Sequence, residues 1–330
     1  MRTPTALTAL MLAVLTIGCT KETATPKAPS DGLAPQSALT AAPPRAAPPI
    51  HTLPAPDILY GLGDIHGDLQ ALKDALTLGG LMDGDGHWSG GTATLVQTGD
   101  LLDRGDDEEE ILRLTQRLRR EAKAAGGEAI FLLGNHEAMN VALDLRYVTP
   151  GGFKDFMDFP GVDVTDAALR DYKPEARGRV AAFTPGGPAA MLLADRGVTI
   201  KVGDTLFVHG GILPEAAQYG LKRLDEETQG WMTGRGPMPA PLKDSDGPMW
   251  SRHFSDDPDA ADCALLQETL SLLDAKRMVV AHTVQPDGIA SYCDGAVYAV
   301  DVGMSRHYGG EVGILKIEGD TVTILTPGAP

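Results

Sequence analysis

The chain has 330 residues with 43% hydrophobic content, enough to bury a sizeable core in one large domain or two small ones. Its 28 Lys and Arg stand against 45 Asp and Glu, a formal net charge of −17. A surface that acidic repels nucleic acids and anionic membranes, whose binding needs clustered cations, so nucleic acid is excluded as a partner.

At the N-terminus, Arg2 supplies a weak positive end and residues 6–18 form a short, mostly apolar stretch, too short to span a bilayer. Leu15-Thr16-Ile17-Gly18-Cys19 resembles a bacterial lipoprotein box. The resemblance implies a signal peptide over 1–18 and a lipid on Cys19 as the chain's one link to a membrane. Polar Thr20 then implies periplasmic delivery, anchored at the outer membrane. A plain secretory signal and a cytoplasmic chain are the alternatives. Residues 19–56 are rich in Pro, Ala, Thr and Ser, a composition that reads as a disordered tether. Cys263 and Cys293 are then the remaining pair, either a disulfide or two buried thiols.

From 57 to 330 the pattern reads as one domain. A strand over 58–63 is followed by a helix over 68–81, with Leu69, Leu72, Ala75 and Leu76 at helical spacing. A strand over 94–98 precedes a helix over 106–125. The acidic first turn of that helix, Asp106 to Glu110, suits the helix dipole and has no chemical role in this reading. Arg117-Leu118-Arg119-Arg120 reads as its solvated face. A strand over 129–133 leads into a helix starting over 135–143. Residues 150–188, broken by Gly-Gly and Pro-Gly-Gly, read as an insertion over one face with some helix at 153–159. Strands over 198–202 and 205–209 form a hairpin turned at Gly203-Asp204. A helix over 261–275 leads to a strand over 278–282, and strands follow over 289–293, 296–302, 312–318 and 321–325. Early βαβα and later meander predict an α/β fold, two mixed sheets packed as a sandwich flanked by helices. Asp83-Gly84-Asp85-Gly86-His87 lacks the spacing of a calcium loop and reads as a turn.

Chemistry-bearing residues stand where the apolar strands stop. Asp64 and His66 follow the first, Asp100, Asp103 and Arg104 the second, and Asn135, His136 and Glu137 the third; His209 and His282 end later strands. In βαβ sheets such ends lie together, where sites form. Three histidines, two aspartates and an asparagine without cysteine suit Mn, Fe or Zn better than Mg or Ca. Six ligands are too many for one open catalytic ion and suit two divalent or trivalent metals sharing a carboxylate.

G-D-x-H-G-D, G-D-x-x-D-R-G, G-N-H-E, H-G-G and a later histidine, in this order, resemble the metallophosphoesterases of the phosphoprotein phosphatase superfamily. Residues 144–150, 183–188 and 301–305 resemble its bacterial-type branch, the Shewanella-like protein phosphatases; Asp-Val-Gly-Met-Ser stands in place of the tail motif of the eukaryotic serine/threonine enzymes. The resemblance covers the chain from Asp57 onward and implies the family's β-sandwich. It implies that Asp64 and His66 bind one metal, that Asp100 bridges, and that Asn135, His209 and His282 complete the second site. In that reading two bound cations would acidify a water for direct attack on phosphorus. The resemblance further implies that His136 protonates the leaving oxygen, that Asp103 holds this imidazole charged and oriented, and that Arg104 grips the phosphoryl group. Arg252 is the candidate second phosphate-binding arginine, with Arg146 behind it. His51, His87, His253 and His307 have no ligand role, and Ser251 lacks the context of a nucleophile.

The implied substrate is a phosphorylated protein, on tyrosine or on serine and threonine, or a small phosphomonoester. The tyrosine-directed members of the branch favour phosphotyrosine. Symmetrical diadenosine tetraphosphate hydrolases carry the same metal motifs, but export and the lack of an adenine-stacking aromatic cluster argue against that activity. In another class, an anchored binding protein without catalysis is opposed by the complete ligand set and His136.

Overall fold

The computed structural model describes residue 49 and residues 51–328. The expected signal peptide, Cys19 and most of the tether lie outside these residues. The folded chain begins earlier than position 57. Thr52–Leu53 (β1) pairs in parallel with Thr199–Val202 (β5), and the His51 imidazole lies 2.8 Å from the Asp225 carboxylate. The reason is local: β5 would otherwise present an unpaired edge, which residues 51–53 cover through Lys201 N–H to His51 C=O and Gly203 N–H to Leu53 C=O.

In chain order, Leu59–Leu62 (β2) leads to helix Leu69–Leu78 (α1), capped by the Asp68 carboxylate on Ala71 N–H. Thr94–Gln97 (β3) leads to Glu108–Ala124 (α2), and Glu128–Phe131 (β4) to Asn135–Val141 (α3). The insertion is irregular over 156–176 apart from two 3-10 turns, as expected, and helical at its ends: Pro150–Asp155 (α4), Arg177–Phe183 (α5) and the start of Pro188–Leu193 (α6). Its first helix starts earlier than 153 because Thr149 caps Gly152 N–H and Pro150 stands at the first helical position. After the β5 hairpin partner Thr205–Val208 (β6) come Pro214–Tyr219 (α7) and Leu221–Met232 (α8), which the sequence pattern did not reveal. Ala260–Leu272 (α9), Arg277–Val280 (β7), Ala290–Tyr292 (β8), Val297–Ala299 (β9), Ile314–Glu318 (β10) and Thr321–Leu325 (β11) complete the chain.

Two mixed sheets result, β11-β10-β2-β3-β4 and β1-β5-β6-β7-β9-β8. Strands β2, β3 and β4 are parallel and in step, Leu62 beside Gln97 and Gln97 beside Phe131. Strands β6, β7 and β9 are likewise parallel, Phe207 beside Val279 and Val279 beside Tyr298. Within each set the C-terminal ends therefore share one edge. The sheets face each other at Gly61: a methyl group there would lie 3.3 Å from the Phe207 ring and 3.4 Å from Val279. Phe207 and Val279 join the core between the sheets, whereas Leu206, Val208, Met278 and Val280 point to the outer layer with Leu266 and Leu270 of α9. The Cys263–Cys293 disulfide ties α9 to the turn between β8 and β9, resolving the choice between bridge and free thiols.

A second core lies under the insertion, where Phe156, Phe159 and Phe183 meet Leu102, Leu112, Leu133 and Val141. The insertion is thus packed on the strand ends and is not a separate domain. Asp83 forms the expected turn, its carboxylate accepting Asp85 N–H and His87 N–H. Arg119 departs from the solvated face expected of it, reaching the Asp195 carboxylate at 2.9 Å.

Candidate active site

The loops after the strands are knitted through their backbones. Ile65 N–H and His66 N–H both donate to Asp100 C=O at 3.0 Å, and Gly67 N–H donates to Leu101 C=O at 2.8 Å. Gly63 is required by close approach: a Cβ there would sit 2.3 Å from Val300 C=O, where the two sheets' loops touch. Gly134 allows α3 to start against Asp100, whose carboxylate a Cβ would meet at 2.1 Å. The Glu137 carboxylate accepts the backbone N–H groups of Asp100, Leu101, Leu102 and Gly134 at 2.8–3.2 Å. This anchor holds His66, Asp100 and Asp103 at φ of 48°, 55° and 65°, left-handed conformations that side chains other than glycine rarely adopt.

The structure brings Asp64, His66, Asp100, Asn135, His209 and His282 together, the first five buried. His66 Nδ1 donates to Leu102 C=O at 3.1 Å, which leaves Nε2 at 3.7 Å from both Asp64 Oδ2 and Asp100 Oδ2. His209 Nδ1 faces Thr98 C=O at 3.2 Å, and Nε2 lies 2.8 Å from Asn135 Oδ1, 3.2 Å from His282 Nδ1 and 3.3 Å from Asp100 Oδ2. When each Nδ1 carries the proton its carbonyl partner requires, each Nε2 presents a lone pair to carboxylate or amide oxygens. Among the described residues, the buried Asp64 Oδ1 has no hydrogen-bond partner. Converging lone pairs with an orphaned carboxylate oxygen are a donor set that fits cations, and Asp100 belongs to both His-containing groups.

The electrostatics agree. Burial, with Asp301 and Asp100 nearby, raises the Asp64 carboxyl well above its ordinary range. Burial pushes Asp301 up to about 6. Burial also lowers His66 to about 4 and His282 to about 2. For Asp100, burial is outweighed by His209, His136 and His66, which hold its carboxyl well below the usual range. Crowded carboxylates and neutral imidazoles are the state a cation would stabilise.

His136 stands apart in its bonding. Its Nδ1 lies 2.6 Å from Asp103 Oδ2, and its backbone N–H donates to Asp100 Oδ1 at 2.9 Å. Burial lowers its pKa, but Asp100 and the bond to Asp103 outweigh that and leave the imidazole above its ordinary value. With Nδ1 held by Asp103, Nε2 remains on the site side, 3.8 Å from Asp100 Oδ2. The other Asp103 oxygen accepts from Asn140 Nδ2 and Arg179 Nη2, both at 3.0 Å. Within the acidic first turn of α2, Glu108 departs from its neighbours: it is fully buried and pairs with Arg179.

Arg104 stacks its guanidinium 3.9 Å from the Tyr147 ring centre, and its buried Nε has no partner among the described residues. Tyr147 in turn lies 5.1 Å from the His136 ring, and Tyr308 lies 5.3 Å from His66. Arg252 reaches the site's rim, Nη1 donating to His282 C=O at 2.9 Å and to Thr283 Oγ1 at 2.8 Å. Arg146 is turned into an exposed pair with Asp144, its guanidinium 5.8 Å from Tyr147. Ser251 is fully buried, and His51, His87 and His253 are paired with Asp225, Glu121 and Asp262 away from the ligands. Sequence reasoning passed over Arg179, Asn140 and Tyr308, and it gave no site role to Glu108 or to Tyr147 and Asp301, which lie within the segments that resemble the branch. Only Asn140 carried a local signal, one helical turn after His136.

Comparison with known proteins follows the same lines. Residues 59–286 match the calcineurin-like phosphoesterase family. Shewanella-like protein phosphatase 2 of Arabidopsis thaliana is 38% identical over 282 residues, covering 76% of this chain and 72% of that protein. The crystal structure of a cold-active protein-tyrosine phosphatase from a psychrophilic Shewanella species matches with a TM-score of 0.67 at 26% identity, covering 84% of this chain and 83% of that one. A protein serine/threonine phosphatase from Saccharomyces cerevisiae shares the fold, with a TM-score of 0.54 at 15% identity, covering 86% of this chain and 85% of that one.

Proposed function

We propose that this chain, which belongs to the calcineurin-like phosphoesterase family and is a phosphatase of the Shewanella-like kind, hydrolyses phosphoproteins by means of two metal ions. The observation that carries this reading is the position of Asp100 Oδ2, 3.7 Å from His66 Nε2 on one side and 3.3 Å from His209 Nε2 on the other. Asp64 and His66 would hold one ion, Asn135, His209 and His282 the other, and Asp100 both. Manganese suits this nitrogen and oxygen set first, with iron or zinc as alternatives. When bound, two such ions supply Lewis-acid polarisation of the phosphoryl group and a nucleophilic water at neutral pH.

The chain's own residues supply the rest. Arg104, preorganised on Tyr147, binds phosphoryl oxygens with its planar fork, and Arg252 extends that grip from the rim. Arg146 would have to leave Asp144 to take part. His136 gives the Nε2 proton to the departing oxygen, and Asp103 keeps the imidazole charged and aimed. The tyrosine phosphatase among the similar structures supports phosphotyrosine as the first substrate to try, with phosphoserine and phosphothreonine next. The Cys263–Cys293 disulfide supports work outside the cytoplasm, in line with export and lipid attachment at Cys19.

The test is metal-supplemented turnover of phosphotyrosine peptide, phosphoserine peptide and diadenosine tetraphosphate, with Asp100→Asn and His136→Asn as controls. Peptide turnover lost in both variants is expected. Wild-type activity in Asp100→Asn would remove the two-ion reading, and preference for the dinucleotide would remove the phosphoprotein reading. Labelling with palmitate, absent in Cys19→Ala, tests the anchor.

A further inference from the structure

Arg179 belongs to α5 of the insertion, far in sequence from the motifs, yet it is fully buried and touches the far side of the His136–Asp103 pair. Its Nε donates to Asn140 Oδ1 at 2.7 Å, Nη1 to Gly152 C=O at 2.9 Å, and Nη2 to Asp103 Oδ1 and Glu108 Oε1, both at 3.0 Å. Nη1 also bonds Glu108 Oε2, so the carboxylate is held by both arms of the fork. Glu108 in turn accepts the backbone N–H of Asp103. The rings of Phe156 and Phe183 lie 4.9 and 5.0 Å from the guanidinium and exclude water.

The charges alternate along this chain, from imidazolium to carboxylate to guanidinium to carboxylate. An arginine alone against Asp103 would weaken that carboxylate's hold on the imidazole. Glu108 balances it, so the bidentate pair fixes Asp103 without cancelling its charge. A carboxylate bonded through one oxygen can pivot; with Oδ1 held by Arg179 and Asn140, Oδ2 is committed to His136. We propose that Arg179 is a positioning residue of the acid step: through Asp103 it keeps His136 Nε2 directed at the leaving oxygen, and so couples the insertion's core to proton delivery. The proposal rests on His136 being that acid.

Protonation of the leaving oxygen matters most when that oxygen is strongly basic, so the readout is the dependence of kcat/KM on leaving-group pKa. The full chain, loaded with manganese, is assayed on a phosphoserine peptide, phenyl phosphate and 2,4-dinitrophenyl phosphate. His136→Ala comes first, and its loss should be on the order of 10²-fold or more for phosphoserine and small for the dinitrophenyl ester. Arg179→Met should show the same selective pattern, and adding it to His136→Ala should cost nothing further. Because Arg179→Met strands Glu108, the variant Arg179→Met with Glu108→Gln removes both charges, should melt near wild type, and should keep the selective loss. Uniform loss over all three esters in both Arg179 variants would make the residue merely structural and overturn the proposal. Phosphoserine turnover restored in the double variant would overturn it too, since Arg179 would then only neutralise Glu108. Uniform loss in His136→Ala itself would instead remove the acid assignment, and the proposal with it.

Discussion

The Asp68 carboxylate receives both the backbone N–H and the Nε of Arg306, at 2.8 and 3.0 Å, across 238 residues of sequence. Its other oxygen caps α1 at Ala71 N–H. One buried side chain thus closes the first motif and straps the C-terminal loop carrying Tyr308 beside His66. Removing the cap and the strap together should cost about 1–2 kcal/mol in Asp68→Ala. Arg306→Ala, with its largely exposed and solvent-screened guanidinium, should cost less than Asp68→Ala. Urea unfolding of both variants checks the order; equal costs would show that the cap is negligible.

Glu137 offers a second measurement. Four backbone N–H groups depend on its carboxylate, and Glu137→Gln replaces one of the acceptor oxygens with a donor. Phosphatase activity or manganese affinity should fall about 10–100-fold while the fold survives. Retained affinity with retained activity would mean that the loop's left-handed residues hold themselves.

The crowded carboxylates predict a pH effect in the chelated protein. Asp301 has a folded pKa raised by burial to about 6, above its unfolded value, so its contribution is fully present below about pH 4 and lost as pH rises through about 6. His66 and His282, pushed below their unfolded values, act in the opposite sense and lose stability as pH falls. The difference in Tm between wild type and Asp301→Asn isolates the carboxyl: the variant should gain on wild type between pH 4 and 6 and hold that gain above. Saturating manganese should shrink it, and a flat difference in the chelated protein contradicts the assignment.

For the disulfide, the Cys263–Cys293 bridge closes a loop of 30-residue separation. Chain entropy gives about 3–4 kcal/mol of stabilisation for a loop of that length. Unfolding with and without reductant, and of Cys263→Ser with Cys293→Ser, should show that loss. Indifference to reductant would leave the bridge without a stabilising role.

The strand ends were legible in sequence for a physical reason. Parallel strands in step bring residues after Leu62, Gln97 and Phe131 to one edge, and those after Val208 and Val280 to the edge facing it. Residue type at the end of each apolar run was therefore enough to assemble Asp64, Asp100, Asn135, His209 and His282. The helices α5 to α7 were hidden by their shortness and by the Gly and Pro residues among them. Glu108 was hidden by its neighbours: an acidic first turn has an adequate explanation in the helix dipole, and burial of one member does not show in composition. Arg179 left no trace because its partners Asp103 and Glu108 are 76 and 71 residues away. The strap from Asp68 to Arg306 left no trace in sequence because the two residues stand 238 positions apart.

The sandwich of Phe156 and Phe183 around Arg179 has an evolutionary side. Packing residues in most cores drift among apolar types of similar volume with little effect beyond stability. Here a swap such as Phe183→Leu would loosen the wall that keeps a guanidinium in register with Asp103. Such drift would surface as an altered taste for substrates with basic or acidic leaving groups, in a protein whose candidate metal ligands had not changed at all. A lineage could retune its chemistry from the second core, leaving every motif residue in place.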